Sequence, residues 1–195
     1  MEAGRSIRIL ALTLAVSALW LCLGCDIFET REAEQPGTDT TPWIQPDLPE
    51  KVFSNLINGL EDLTGVNYEK SLGDEFVFIP LLSDVDKLGA CAFDGWNKTV
   101  EAAVTQQFLA EASAVAVSFV RTIIRDEADF VDYRVAYELT LTYKRGGSET
   151  FKGVAQFDMQ RLGNGWHLIR WTDQEGVEGF ATWGYLRGET RGCSG

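Results

Sequence analysis

His167 is the only histidine in the chain. An imidazole titrates near physiological pH, so His167 is a candidate general base or acid. The plainer reading is a strand histidine beside the Gly163-Asn164-Gly165 turn, with no second histidine and no cysteine near it in sequence. Structural and catalytic zinc sites draw on several His or Cys ligands, and no acidic run has the spacing of a calcium loop. No metal site and no cofactor are therefore expected. Cys91 and Cys193 form an even pair once Cys22 and Cys25 are set aside. They permit one disulfide closing a loop of about 100 residues, or they remain two free thiols, since sequence does not carry the geometry a bridge demands. Trp96, Trp166, Trp171 and Trp183 line an apolar ligand cavity or fill a core. Asp173 closes the Trp-rich stretch and, read structurally, accepts backbone N–H bonds at a strand end.

The whole chain carries a net charge of −12. Removing Glu2, Arg5 and Arg8 with a leader leaves 15 basic and 28 acidic groups, or −13. Phosphate backbones need a basic stripe, so nucleic acid is excluded as a partner. A basic patch on anionic lipid is disfavoured for the same reason. The charge serves solubility and self-repulsion.

Arg5 and Arg8 precede an uncharged apolar run from Ile9 to Leu23, which ends at Gly24-Cys25-Asp26. This is the grammar of a secretory signal. With cysteine after the small residue, it resembles a bacterial lipoprotein signal, in which Cys25 becomes the diacylated N-terminus. Leu21 stands one place further from the cysteine than that pattern usually has it, and Cys22 occupies the usual place. An uncleaved span is the alternative, at about 17 residues near the short edge for a membrane helix; ordinary secretion is the other. The resemblance implies residues 1–24 as signal peptide, Cys25 as lipid attachment site and a lipid anchor in a bacterial envelope, facing the periplasm. Asp26 favours retention at the inner membrane. Residues 25–48 hold Pro36, Pro42 and Pro46, with Pro49 just after them, and are rich in threonines and acids. Such composition reads as a disordered tether, along which Trp43 and Ile44 either dock on the domain or lie near the lipid headgroups.

The folded part, 49–195, opens with Val52, Phe53, Leu56, Ile57 and Leu60 at helical spacing, extended by Leu63. A short helix over 67–72 is expected to stop at Gly73, followed by a strand at 76–79. Residues 83–96 read as loop. A third helix starts at Asn97, a good N-cap, with Val100, Val104 and Phe108 on its apolar face and Glu101, Gln106 and Gln107 on the other. Alternation then predicts strands over 113–125 and 131–145, a Gly146-Gly147 hairpin turn, a strand carrying Phe151 to Met159, and another from Trp166 to Asp173. Parity groups His167 with Ile169 and Trp171, opposite Trp166 and Leu168. A last short strand is expected over 180–186. This order predicts an α+β fold, with N-terminal helices packed on a strongly curved, mainly antiparallel sheet.

The order of these parts resembles the nuclear transport factor 2-like (SnoaL-like, cystatin-like) superfamily over residues 50 to 187. Tyr68-Glu69-Lys70-Ser71-Leu72 leading into Asp74 to Phe78, the helix after Trp96, the long meander, Trp166 to Asp173 and Trp183-Gly184-Tyr185-Leu186 carry the resemblance. It implies a cone around a cavity and fixes no activity. Enzymes of this superfamily use an aspartate with a raised pKa and tyrosine donors. Asp173 or Asp158 is the candidate aspartate; Tyr68, Tyr133 or Tyr137 is the candidate donor. The structural reading makes the tyrosines core aromatics with a wet hydroxyl. Two functions follow: a non-catalytic domain binding a small apolar ligand or an envelope protein, or a metal-independent isomerase or hydratase using an Asp–Tyr pair. A homodimer through the open sheet face is a further expectation.

Overall fold

The computed structural model describes residues Thr41–Cys193. The expected signal, Cys25, Asp26 and the expected tether as far as residue 40 lie outside the described residues. Helix α1 (Pro49–Glu61) begins with a proline, whose missing N–H is tolerated in a first turn, and with Glu50 at the positive helix end. Val52, Phe53, Leu56 and Leu60 are fully buried along its inner face. Asn55 joins them because its side chain is satisfied twice by one residue. Its Nδ2 donates to Ile44 O at 2.7 Å, and its Oδ1 accepts from Ile44 N at 3.0 Å. Thr41 N–H donates to Asp62, and Trp166 N–H donates to Pro46 O at 2.7 Å. Residues 41–48 therefore run along α1 as a hydrogen-bonded strap. Proline-rich composition hid this, since the strap is held by partners distant in sequence.

Helix α2 (Val66–Ser71) passes straight into β1 (Leu72–Ile79). Gly73 is thus a strand residue and no helix stop; a Cβ there would lie 3.0 Å from Ile169 Cγ2, so close strand packing explains the glycine. The stretch expected as loop contains α3 (Leu82–Leu88) and a 3₁₀ turn (Ala90–Ala92). Helix α4 (Lys98–Glu111) is capped by Asn97, whose side chain accepts from Val100 N–H at 3.1 Å.

Strands β2 (Ala112–Glu127), β3 (Phe130–Tyr143), β4 (Ser148–Leu162) and β5 (Gly165–Gly176) follow. The sheet order is β1-β5-β4-β3-β2, with β1 parallel to β5 and the other pairs antiparallel. Gly146 and Gly147 turn the β3–β4 hairpin at φ 90° and 88°, a region natural to glycine. Ladder irregularities bend β2 between Ile123 and Arg125 and β5 at Ile169 and Gln174.

One bulge changes which side chains meet. Asp158 pairs with Arg170 but Met159 pairs with Leu168, so Ile169 is an extra residue in β5. Trp166 and Leu168 point inward before it, and Trp171 and Asp173 point inward after it. The expected grouping of His167 with Trp171 is therefore wrong. Strict alternation fails where two consecutive residues share a face.

The expected strand over 180–186 is instead helix α5 (Trp183–Arg191), capped by Thr182, whose side chain accepts from Tyr185 N–H at 2.9 Å. Trp183, Leu186 and Arg187 share its inner face at i, i+3 and i+4. The helices pack on the sheet to make one α+β domain, and its interior is aromatic. Trp171 lies 4.2 Å from Phe157 and 4.7 Å from Trp183 between ring centroids, and Phe119 stacks on Trp183 at 6.3 Å. Phe53 stacks on Phe157 at 5.7 Å. Trp171 and Trp183 thus fill the cone. Each such ring buries a large apolar surface and gains further from edge-to-face contact.

Candidate functional site

Two buried polar clusters meet at α5. In the first, Arg187 is fully buried and donates from Nε and Nη2 to Glu101 Oε1 at 3.0 and 2.7 Å. Tyr68 Oη also donates to Glu101 Oε1, and Trp96 Nε1 donates to Oε2 at 2.7 Å. The guanidinium is sandwiched among aromatic rings, 4.0 Å from the Trp171 centroid and 4.3 Å from Phe78. Burial opposes the Arg187 charge, yet Glu101, with Tyr68 and Asp173, outweighs it and raises its pKa. Glu101 was expected on the polar face of its helix. It lies instead on the buried face with Val104, Thr105 and Phe108, because Arg187 and two donors satisfy it there.

The second cluster caps α5. Asp173 Oδ1 accepts from Trp171 Nε1 at 2.8 Å and Oδ2 from Gly184 N at 3.1 Å. Trp183 N–H donates to Tyr137 Oη at 3.2 Å, and Thr182 Oγ1 donates to buried Asp84 at 2.5 Å. Acceptors at the helix start satisfy orphan N–H groups and favour the dipole. A Cβ on Gly184 would sit 2.5 Å from Asp173 Oδ2 and 3.1 Å from Phe78 Cζ. Gly184→Ala is expected to cost about 1–3 kcal/mol through overpacking, read as a lower urea midpoint.

Burial pushes the Asp173 carboxyl up to about 6, with Asp84 adding to the rise and Arg187 and the Trp171 N–H pulling against it. Burial likewise raises the Tyr137 hydroxyl, with Asp173 adding. An acid whose pKa is higher folded than unfolded binds its proton more tightly in the native state. Its contribution to stability grows as pH falls through about 6 and is complete below the ordinary carboxyl value of 3.8. About two units correspond to roughly 3 kcal/mol. The stability gap between wild type and Asp173→Asn should shift by that amount toward wild type from pH 7 to pH 4. A gap constant with pH in urea titrations would contradict this.

The expected site residues separate. Asp173 and Tyr137 both reach the start of α5, where its N–H groups engage each of them. Asp158 is on the outer sheet face, accepting from Gln156 at 2.8 Å and pairing with Arg170 at 3.4 Å, so it faces no cavity within the cone. His167 is half-buried beside β1; burial, then Lys98, lowers its pKa. Tyr68 and Tyr133 donate to Glu101 and Glu50, respectively. Sequence reasoning missed Arg187, Asp84 and Thr182; the signal for them was the Thr182 cap followed by helical spacing. Cys91 and Cys193 are joined, with Cα atoms 5.3 Å apart. Among the described residues no His, Cys, Asp or Glu trio is placed to hold a metal, and no helix is long and apolar enough to cross a membrane. An open cleft of about 560 Å³ lies at the start of α1, and another of about 460 Å³ lies between α4 and α5.

This arrangement matches the nuclear transport factor 2-like (SnoaL-like) cone fold. No protein-family model matches the chain, and no curated protein is significantly similar to it. Solved structures do share its fold. A proposed scytalone dehydratase of Novosphingobium aromaticivorans aligns at TM-score 0.56 and 7% identity, over 66% of this chain and 82% of that one. A proposed calcium/calmodulin-dependent protein kinase II association domain of Xanthomonas campestris aligns at 0.53 and 15%, over 67% and 86%. The β subunit of a proposed aromatic-ring-hydroxylating dioxygenase of N. aromaticivorans aligns at 0.51 and 14%, over 70% and 92%. At such identities the likeness is one of fold.

Proposed function

We propose that this chain is a bacterial envelope lipoprotein, acylated at Cys25, whose cone domain binds a ligand or partner and performs no chemistry. The carrying observation is the filled cone. Trp183 and Arg187 occupy its interior, and both oxygens of Asp173 are engaged by Trp171 and Gly184. A general base needs a free oxygen within reach of a substrate proton, and here α5 stands in that place. The anchor rests on the Gly24-Cys25 junction behind its apolar run, with Asp26 favouring the inner membrane. The isomerase or hydratase alternative keeps one observation in its favour, a buried carboxyl near pKa 6 beside a tyrosine. It requires α5 to swing away from Tyr137 and Asp173.

Expression of the full chain in a Gram-negative host tests both parts. The mature protein should carry acyl mass that Cys25→Ala abolishes; an unacylated membrane form contradicts the anchor. Purified protein should show no Asp173-dependent turnover of enolisable ketones or hydroxylated cyclic substrates. Turnover lost in Asp173→Asn would contradict the binding reading.

A further inference from the structure

We propose that the cleft at the start of α1 binds an amphipathic organic amine, a cation carrying an apolar body. The inference deepens the binding reading above and rests on it. The cleft encloses about 560 Å³, within the range of small-ligand sites. Its apolar lining comes from three separate elements: Leu48 of the strap, Ile123 of β2 and Trp166 of β5. Leu48 and Ile123 remain 56% and 51% exposed. Folding thus leaves two large aliphatic side chains uncovered on the wall of one concavity, where a ligand's apolar body would shield them.

The charged groups set the polarity of the occupant. Glu50, Asp126 and Glu127 line the cleft, with Arg161 as its one basic residue. Asp126 has no ion-pair partner among the described residues, and Glu127 lies 3.8 Å from Arg125 in an exposed pair. Glu50 is held by the Tyr133 hydroxyl at 3.0 Å, which fixes its carboxylate while adding no positive charge. A carboxylate or phosphate ligand would meet net repulsion here, whereas an ammonium gains from each carboxylate. A bare metal ion has no use for the aliphatic wall, and a polyamine without an apolar body leaves that wall wet.

Isothermal titration of the full-length protein in zwitterionic nanodiscs, with empty discs subtracted, tests the assignment. The probes are phenethylamine, its acid counterpart 3-phenylpropanoate, and spermidine. Phenethylamine should bind saturably, at least tenfold tighter than either other probe. The exposed pair Asp126→Asn/Glu127→Gln and, separately, Ile123→Ser should each weaken it about tenfold, while thermal melting remains unchanged. Equal binding of amine and acid, spermidine binding as tightly as phenethylamine, indifference to either variant, or no saturable heat overturns the assignment. In each of those cases the domain can still lack Asp173-dependent turnover, so the cleft fails without the binding reading failing.

Discussion

Arg187→Ala is expected to destabilise the domain by about 3–5 kcal/mol, the largest effect of any single truncation at the site. The substitution leaves Glu101 charged and fully buried, with only Tyr68 and Trp96 donating to it. It also opens space between Trp171, Phe78 and Trp183, which the guanidinium now fills. A small domain has about 5–15 kcal/mol in all, so the variant should unfold at far lower denaturant or fail to accumulate. Pairing Arg187→Met with Glu101→Gln should recover much of the loss. The methionine refills the aromatic slot, and the glutamine removes the buried charge, its oxygen accepting from Trp96 Nε1 while its amide donates to the Tyr68 hydroxyl. Urea titration of the two variants checks both statements. A double variant as unstable as Arg187→Ala would mean that packing rather than uncompensated charge sets the cost.

Removing the bridge between Cys91 and Cys193 should cost about 4–5 kcal/mol, because it closes a very long loop in the unfolded chain. The two cysteines are 102 residues apart in sequence. Cys193 follows α5, so the bridge ties the end of that helix to the 3₁₀ turn, where Arg191 also donates to Asp94 O at 2.7 Å. Guanidinium titration with and without dithiothreitol reads the effect. The wild type should lose midpoint on reduction, and Cys91→Ser/Cys193→Ser should match the reduced wild type and ignore the reductant. A reductant-insensitive wild type would contradict the bridge.

The meander was legible because each strand carries its own alternation and each turn its own glycines, both local properties. The α1 face and the Asn97 cap were legible for the same reason. What sequence hid was non-local. Glu101 looks like a surface residue until Arg187, 86 positions away, is brought to it. Apolar spacing in α5 is short, and Trp183-Gly184-Tyr185-Leu186 also fits a strand; only Thr182 speaks for a helix. Ile169 defeated parity because a one-residue bulge leaves no mark in composition. Asp173 is a buried carboxyl, but whether such a group meets a substrate or a helix end depends on what occupies the cone. Asp158, one of the two aspartates singled out, proved to belong to the other face.

The central claim is that the cone is filled by its own aromatics and closed by α5. Xenon pressurisation of crystals of the protein tests this most directly, since xenon enters dry apolar cavities. The account predicts no xenon density among Phe119, Phe157, Trp171 and Trp183. An ordered xenon site there, beside Asp173 and Tyr137, would contradict it and reopen the cone as a place for chemistry.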